Sequence, residues 1–297
     1  MGRRRKPFWG NALALIALIL VFVLVAIERH SRNKSKRWAD GIGGGVSPQW
    51  KLEGINLLLA QSITLIPPIF TLGIPITWVL VNFDQIKQGL DFELIELTLR
   101  SFSLGLIVVF ITILISLFVS ISKRWQDNKL LHGLTFLTGI GYAIPGSVLA
   151  LALLSFSGSP WNISTLGLLI WGYCIRFLAV SKGGIDAAFE RIPPSIDNAA
   201  TNLGSKWPKV LTRIHLPLLR GPLLVGSLLV FVDTIKELPL TFILRPFNFD
   251  TLSVRIFQYA SDERLAESIL PSMILLTLGL IASLALIPSL NNKKRQG

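Results

Sequence analysis

The chain has 297 residues, of which 51% are hydrophobic and only 15% charged, whereas soluble chains carry about 25% charged residues. So many long apolar runs exclude a single soluble core and predict a membrane protein. The net charge of +12 does not indicate nucleic-acid binding, because the lysines and arginines cluster at the ends of apolar runs, as in cytoplasmic loops of membrane proteins. The single cysteine, Cys174, lies in an apolar run and predicts neither a disulfide nor a metal site.

The first apolar run, Asn11–Ile27, is an uncharged stretch of 17 residues and predicts a membrane helix. A cleaved signal peptide is the alternative, but the Glu-Arg-His triplet after the run contains none of the small residues of a cleavage site. A basic and then glycine-rich linker, Arg29–Gly45, follows. We therefore expect an N-terminal helix with its linker in residues 1–45 and a main membrane domain in residues 46–297.

Six further apolar runs predict six membrane spans in the main domain, so the expected fold is all-α and polytopic. The runs are Leu57–Val81, Leu97–Ile121, Leu130–Phe156, Ile163–Val180, Leu218–Ile235 and Ile269–Leu290. Three prolines in the first of these runs, Pro67, Pro68 and Pro75, predict a kink, which membrane helices tolerate.

The charges of the connecting segments predict the orientation of the spans. Ser122–Lys129, the segment 193–217 and the C-terminal tail are basic, so we expect all three in the cytoplasm. The acidic loop Asn82–Glu96 is expected outside, and six spans from Leu57 onward alternate consistently with these assignments. The N-terminal helix fits less well, because its leading basic cluster would then lie outside. This mismatch indicates that the chain is one half of something larger.

The polar segment 193–217, between the fourth and fifth of the six spans, contains two short helical patterns around Gly204. We expect Ser195 to cap the first helix and Gly204 to end it in the left-handed conformation. Ser205 is then expected to cap a second helix, which Pro217 ends. The pattern predicts a rigid helix–glycine–helix elbow. From the residues alone, an ordinary amphipathic segment at the membrane surface explains the pattern equally well.

The order Asn-Ala-Ala-x3-Gly-x9-Ile-x-Leu-Pro in this segment resembles the EAA signature of ABC-importer permeases. In that family the segment is the coupling helix that docks on a cytoplasmic ATPase. The resemblance implies ATPase-coupling roles for Asp197, Asn198, Ala199, Ala200, Gly204, Ile214, Leu216 and Pro217. Asn198 stands where the family usually has glutamate, with Asp197 next to it, so one polar contact with the ATPase is expected to be weaker or shifted. The chain has no phosphate-binding Gly-x4-Gly-Lys-Ser/Thr motif, so ATP and magnesium are expected to be used by the partner ATPase.

Three further stretches resemble the ferric-iron branch of the type I importer permeases: Gly141–Leu154, Ile175–Gly204 and Lys236–Ala260. With the final helix, the resemblance runs from about residue 57 to residue 290. In that family one polypeptide commonly carries two six-helix halves, and residues 11–38 resemble the last helix of a first half with its linker. The resemblance implies a bacterial inner-membrane permease with a cytoplasmic C-terminus and no enzymatic activity. Its expected partners are ABC ATPase subunits, a periplasmic substrate-binding protein, a second permease half and membrane lipid.

Ferric iron prefers carboxylate and phenolate oxygens, and Asp233 and Glu237 lie four residues apart at the expected outer end of a span. Ionisable side chains at membrane depth are candidates for function, although a structural bridge from Asp233 to Arg176 or Lys236 is the competing interpretation. We expect a break of the helix at Lys236–Pro239. The predicted substrate pathway or gate comprises Asp233, Lys236, Glu237, Leu238, Pro239 and Arg176. No bound metal is expected, because the histidines show no ligand spacing.

Two alternatives remain open at the level of the sequence. An importer of the same class for an aminophosphonate, thiamine or a polyamine would keep every motif except the last of the three stretches. A secondary transporter or membrane-bound enzyme would have no need for the elbow and would carry chains of acidic or histidine side chains inside the membrane, whereas these spans are nearly free of charge.

Overall fold

A computed structural model describes residues 51–83, 91–126, 129–157 and 163–285, together with the isolated helical positions Ile19 and Val23. The expected N-terminal span is therefore outside the described residues except at these two positions. The linker, the C-terminal tail and residues 84–90 of the acidic loop also lie outside them. Within the described ranges every regular element is a helix.

The helices follow one another along the whole described part of the chain. They are α1 (Ile55–Val81), α2 (Phe92–Trp125), α3 (Lys129–Ile140), α4 (Gly146–Ser157), α5 (Thr165–Glu190), α6 (Pro194–Asn202), α7 (Trp207–Val210), α8 (Leu216–Lys236), α9 (Pro239–Leu244), α10 (Leu252–Ser261) and α11 (Leu265–Leu284). A 3₁₀ turn, Gly141–Ala143, follows α3, and a π-helical turn, Leu211–His215, joins α7 to α8.

Five helices in the described ranges are long and apolar enough to cross a membrane: α1, α2, α5, α11 and the continuous α7–α8 helix. The helical segments Leu137–Ala143 and Gly146–Phe156 form a bent pair, with an angle of 116° between them, that counts as a sixth span if both halves cross together. The expected all-α polytopic fold is confirmed, and the described chain is that of a multi-pass membrane protein. The described residues give five or six of the expected spans.

The span expected over Leu130–Phe156 is not one straight helix, because the structure breaks it between α3 and α4. Ile144 adopts an extended conformation, with φ −74° and ψ 127°, and Pro145 follows it. A proline sterically disfavours the helical conformation of the residue before it and has no N–H for the helical ladder. The proline therefore explains the break, although the hydrophobicity of the stretch gives no sign of it.

The described residues belong to two compact units, residues 1–90 with 265–270 and residues 91–264 with 271–297. In the first unit, α1 continues as one helix through its three prolines and buries no residue. The second unit packs α2, α5 and α8 together with α4 and α9. Its main apolar cluster comprises Leu104, Val108, Leu149, Ala150, Leu153, Leu168, Leu169, Tyr173, Phe177, Val230, Leu240 and Leu244. Both sets of predicted site residues belong to this second unit.

Candidate functional site

The predicted elbow is present, and a left-handed glycine forms its bend. After α6, Gly204 has φ +76°. The Gly204 N–H donates to the Thr201 carbonyl at 2.9 Å, and the Ser205 N–H donates to the Ala200 carbonyl at 3.0 Å. These two hydrogen bonds are the Schellman pair, which satisfies carbonyls left free at the end of a helix. The predicted role of Gly204 in ending the first helix is therefore confirmed.

The two predicted serine caps are wrong. Helix α6 begins at Pro194, so Ser195 lies inside its first turn, and α7 begins after Lys206, one residue beyond Ser205. No side chain caps either helix. A proline at the first helical position loses no hydrogen bond and already has a helical φ, so Pro194 starts α6 without a capping hydroxyl.

The predicted end of the second helix at Pro217 is also wrong, because the chain continues without interruption into α8. The π-helical turn before it makes this continuation compatible with proline. Here the Leu216 N–H donates to the carbonyl of Leu211, five residues earlier. Such a wider turn shifts the hydrogen-bond register just before Pro217, which has no N–H of its own.

The carboxylate of Asp197 on α6 lies close to two side chains from other elements. Its Oδ2 accepts a hydrogen bond from Arg124 Nε at 2.7 Å, and its Oδ1 lies 2.9 Å from His215 Nε2. Arg124 Nη1 donates to the Phe189 carbonyl at 2.8 Å, and Nη2 donates to the Ile192 carbonyl at 3.0 Å. One arginine at the end of α2 thus joins the end of α5 to the first turn of α6.

Aromatic rings enclose the contact between Asp197 and His215. The His215 side chain is fully buried, with its ring centroid 5.3 Å from that of Phe189 and 6.0 Å from that of Trp125. Trp125 also makes an edge contact with Trp207 of α7 at 5.6 Å. Sequence reasoning missed both Arg124 and His215, because nothing in the spacing of residues this far apart indicates that they meet.

The predicted ATPase-coupling residues differ in exposure. Their exposure is as follows: Asn198, Ala199, Gly204 and Pro217 are exposed, Asp197, Ile214 and Leu216 are half-buried, and Ala200 is buried. Two large apolar side chains that the prediction omitted project beside the bend, Leu203 at 85% and Trp207 at 61% exposure. The carboxylate of Asp197, one of the predicted coupling residues, is paired with Arg124.

The second predicted set of residues surrounds the end of α8. This helix ends at Lys236 and α9 begins at Pro239, so the predicted break is confirmed. Glu237, between them, pairs with Arg176 of α5 at 3.6 Å between Oε2 and Nε, and the two side chains are only 11% and 19% exposed. Arg176 Nη1 also donates to the Ile144 carbonyl at 2.7 Å, at the break between α3 and α4. The Arg176–Glu237 pair therefore joins two helix breaks.

Asp233 does not share this ion pair. Its Oδ1 lies 2.8 Å from Nζ of Lys236, whose side chain is 58% exposed. Glu237 follows the last residue of α8 as its C-cap, with φ −69° and ψ 122°, and the two carboxylates have different partners. Of the two bridging partners proposed for Asp233, the structure has Lys236, whereas Arg176 pairs with Glu237.

A hydrogen-bonded network fixes the backbone at Glu237. Its carbonyl accepts hydrogen bonds from Thr241 Oγ1 at 2.7 Å and from Ser253 Oγ at 3.0 Å. The Thr241 hydroxyl is also hydrogen-bonded to the buried hydroxyl of Tyr173 on α5. A buried polar network with its partners satisfied rigidifies the surrounding structure. Hydrogen bonds therefore connect the break after α8 to both α5 and α10.

Gly146, the first residue of α4, lies against the Arg176–Glu237 ion pair, which occupies the space that a side chain at this position would need. A Cβ at this position would lie 2.6 Å from Glu237 Oε1 and 3.2 Å from Arg176 Nη1. We expect Gly146→Ala to lower the free energy of unfolding by about 1–3 kcal/mol, because the added methyl displaces the paired carboxylate. Thermal unfolding of the purified chain in detergent measures the change. Gly183→Ala is the matched control, since a Cβ there meets nothing within 4 Å. Equal losses in both variants would contradict the close approach.

A charged cluster links the start of α2 to the loop between α9 and α10. Asp250 is paired with Arg245 and lies 3.6 Å from Arg255 Nη2, and Arg255 also contacts Glu93. Within this loop, Phe247 projects with 95% of its surface exposed. Among the described residues, no group of three or more His, Cys, Asp or Glu side chains could hold a metal ion.

No protein-family profile matches the chain, but individual transport permeases do. The chain is 25% identical to the Fe(3+)-transport system permease protein FbpB 2 of Haemophilus influenzae, over 67% of this chain and 41% of that protein. It is 26% identical to the probable ABC transporter permease protein y4fN of Sinorhizobium fredii, over 95% of this chain and 54% of that protein. It is 24% identical to the putative 2-aminoethylphosphonate transport system permease protein PhnV of Salmonella typhimurium, over 63% of this chain and 72% of that protein. The chain spans about half the length of the first two relatives.

Solved ABC importers share the fold. The MetNI methionine ABC transporter, in inward-facing conformations, matches with a TM-score of 0.52 at 16% identity, over 65% of this chain and 92% of that chain. A bacterial ABC transporter involved in the import of the acidic polysaccharide alginate matches with a TM-score of 0.56 at 13% identity, over 81% of this chain and 96% of that chain. The resemblance to ferric-iron and other ABC-importer permeases that the sequence predicts is thus confirmed, and the fold is that of ABC-importer permeases.

Proposed function

We propose that the chain is the permease subunit, or half-subunit, of a binding-protein-dependent ABC importer, and that its substrate is ferric iron. The observation that carries the proposal is the elbow, a rigid bend with Leu203 and Trp207 exposed and with its base fastened to α2 and α5. Two large exposed apolar side chains only four residues apart in a polar segment make it a candidate protein-binding site. The permease fold and the sequence relatives support assigning that site to an ABC ATPase.

In this proposal the chain catalyses no chemical step. Two partner ATPases bind ATP and magnesium and close, which draws the elbows of two permease halves together. The bundle of α2, α5 and α8 follows each elbow, and the pathway opens toward a loaded binding protein outside. The C-terminus then lies in the cytoplasm and the spans lie in the bacterial inner membrane.

Ferric iron as the substrate is supported by the name of the Haemophilus relative. Glu237 offers carboxylate oxygen, the ligand type that hard cations prefer, but Arg176 already neutralises it. A transport pathway needs only weak and transient ligands, because a cation held by a full set of ligands would not be released. A second candidate is an aminophosphonate, which the similarity to PhnV favours.

The exposed loop around Phe247 is our candidate for contact with the substrate-binding protein. It lies beside the charged cluster of Asp250, Arg245 and Arg255, which gives the surface both apolar and ionic character. One of the structurally similar transporters, the alginate importer, has been solved in complex with its substrate-bound periplasmic protein.

Co-purification from native membranes in a mild detergent tests the subunit assignment. We expect the chain to bring down an ABC ATPase and a second permease half, identified by mass spectrometry. If crosslinked membranes also yield no ATPase, the proposed function is wrong.

Uptake of radiolabelled ferric iron into cells tests the substrate. We expect uptake to depend on the chain and to resist competition by 2-aminoethylphosphonate. Uptake of the phosphonate that depends on the chain, without uptake of iron, would instead establish the second candidate.

A further inference from the structure

We propose that Arg124 is a positioning residue that makes the elbow and the helix bundle move together, so that force applied at the elbow reaches α2 and α5. This inference rests on the proposed function, and it assigns to one side chain the mechanical connection that the function requires. Arg124 belongs to none of the motifs that resemble the permease family.

The guanidinium of Arg124 uses three nitrogen atoms for three acceptors. Nε donates to the Asp197 carboxylate, Nη1 to the Phe189 carbonyl and Nη2 to the Ile192 carbonyl, at 2.7, 2.8 and 3.0 Å. Its carbon Cζ also lies 5.5 Å from the centroid of the Phe189 ring. The side chain is only 13% exposed. A lysine has one nitrogen on a flexible stem and does not reproduce this planar fork.

The three acceptors lie on both sides of the short turn between α5 and α6. Phe189 is in the last turn of α5, Ile192 is in the connection, and Asp197 is in the first turns of α6. Carbonyls at the end of a helix lack intrahelical partners, and a positive charge there is favourable. Arg124 therefore caps α5 and fixes the direction in which α6 leaves it.

Asp197 connects the second arm of the elbow to the same arginine. Its other oxygen lies 2.9 Å from Nε2 of His215, in the turn where the elbow enters α8. Both arms of the elbow therefore converge on one carboxylate beneath the bend, whereas the bend itself, at Leu203, is exposed. Asp197 thereby connects the elbow to α2 through Arg124. The neighbouring Lys123 instead lies 3.8 Å from Asp186 of α5.

The first test needs no ATPase. A spin label is placed at Leu203→Cys in a Cys174→Ala background of the full chain in lipid nanodiscs, and its mobility is read by electron paramagnetic resonance. We expect Arg124→Lys to increase the mobility of the label, because the base of the elbow is released. Arg220→Lys is the matched control, an exposed arginine on α8, and should change nothing. Equal mobility in wild type and Arg124→Lys would overturn the proposal.

The second test separates a positioning role from a merely structural one. In the complete transporter we expect Arg124→Lys to retain ATPase binding and ATP hydrolysis while transport per ATP falls about fivefold or more, the lower end of typical coupling between sites. Unchanged transport per ATP would overturn the inference even though the ATPase co-purifies. If wild type binds no ATPase, the proposed function fails, whereas the label measurement still tests the connection.

A second substitution applies if Arg124→Lys does not fold. Asp197→Asn keeps an oxygen acceptor for Arg124 but removes the negative charge between Arg124 and His215. We expect a smaller increase in the mobility of the label at position 203. No increase in this variant would overturn the proposal, because Asp197 is the acceptor that belongs to the elbow itself.

Discussion

Gly204→Val is expected to leave the protein in the membrane and to reduce substrate uptake by about tenfold or more. A change of this size lies within the range that energetic coupling between two sites of a protein typically produces. Gly204 has φ +76°, a conformation that costs an L-residue about 1–2 kcal/mol and a β-branched residue more. A Cβ at this position would meet nothing within 4 Å, so the whole effect arises from the backbone and not from a clash. The valine variant relieves its strain by opening the Schellman pair, which redirects α7 relative to α6.

Gly204→Asn is the control for this prediction, because asparagine tolerates the left-handed conformation far better than valine does. We expect the asparagine variant to transport at close to the wild-type rate and the valine variant to be present in the membrane in equal amount. Substrate uptake, ATPase co-purification and the amount of chain in the membrane are measured side by side. Normal uptake by the valine variant would remove the argument that the geometry of the elbow matters.

Glu237→Leu is expected to destabilise the protein by about 3–5 kcal/mol, because it leaves the charge of Arg176 without its partner in a largely buried position. Thermal unfolding of the purified chain should show a large downward shift. The double variant Arg176→Leu with Glu237→Leu should recover most of this loss, since removing both charges also removes the uncompensated one. A double variant as unstable as the single one would show that packing, and not charge, dominates at this position.

Asp233→Asn is the matched comparison for the ion pair. It removes a carboxylate in the same region of the chain, but the partner of that carboxylate is the exposed Lys236. Pairs with an exposed partner contribute about 0–1 kcal/mol, so we expect almost no change in thermal stability. A clear fall in uptake by this variant at unchanged stability would place Asp233 on the substrate pathway. A loss of stability as large as that of Glu237→Leu would contradict the contrast between the two carboxylates.

The sequence by itself determined the fold class, the bend at Gly204 and the break after Lys236. A membrane helix satisfies its own backbone hydrogen bonds and needs only an apolar run of sufficient length, so composition along the chain predicts it. Glycine and proline act on the backbone within a few residues of their own positions. For the same reason the wrong predictions at Ser195, Ser205 and Pro217 concern only where a helix begins or ends.

Only the tertiary structure decided which charged side chains meet. Arg124 reaches Asp197, and Arg176 reaches Glu237 instead of Asp233. His215, which looked isolated in the sequence, is buried next to Asp197. These pairs connect residues far apart in the chain, and they form because the packing of α2, α5 and α8 brings helix ends together. Buried charges are costly unless paired, so packing both creates the need for a partner and selects which one is within reach.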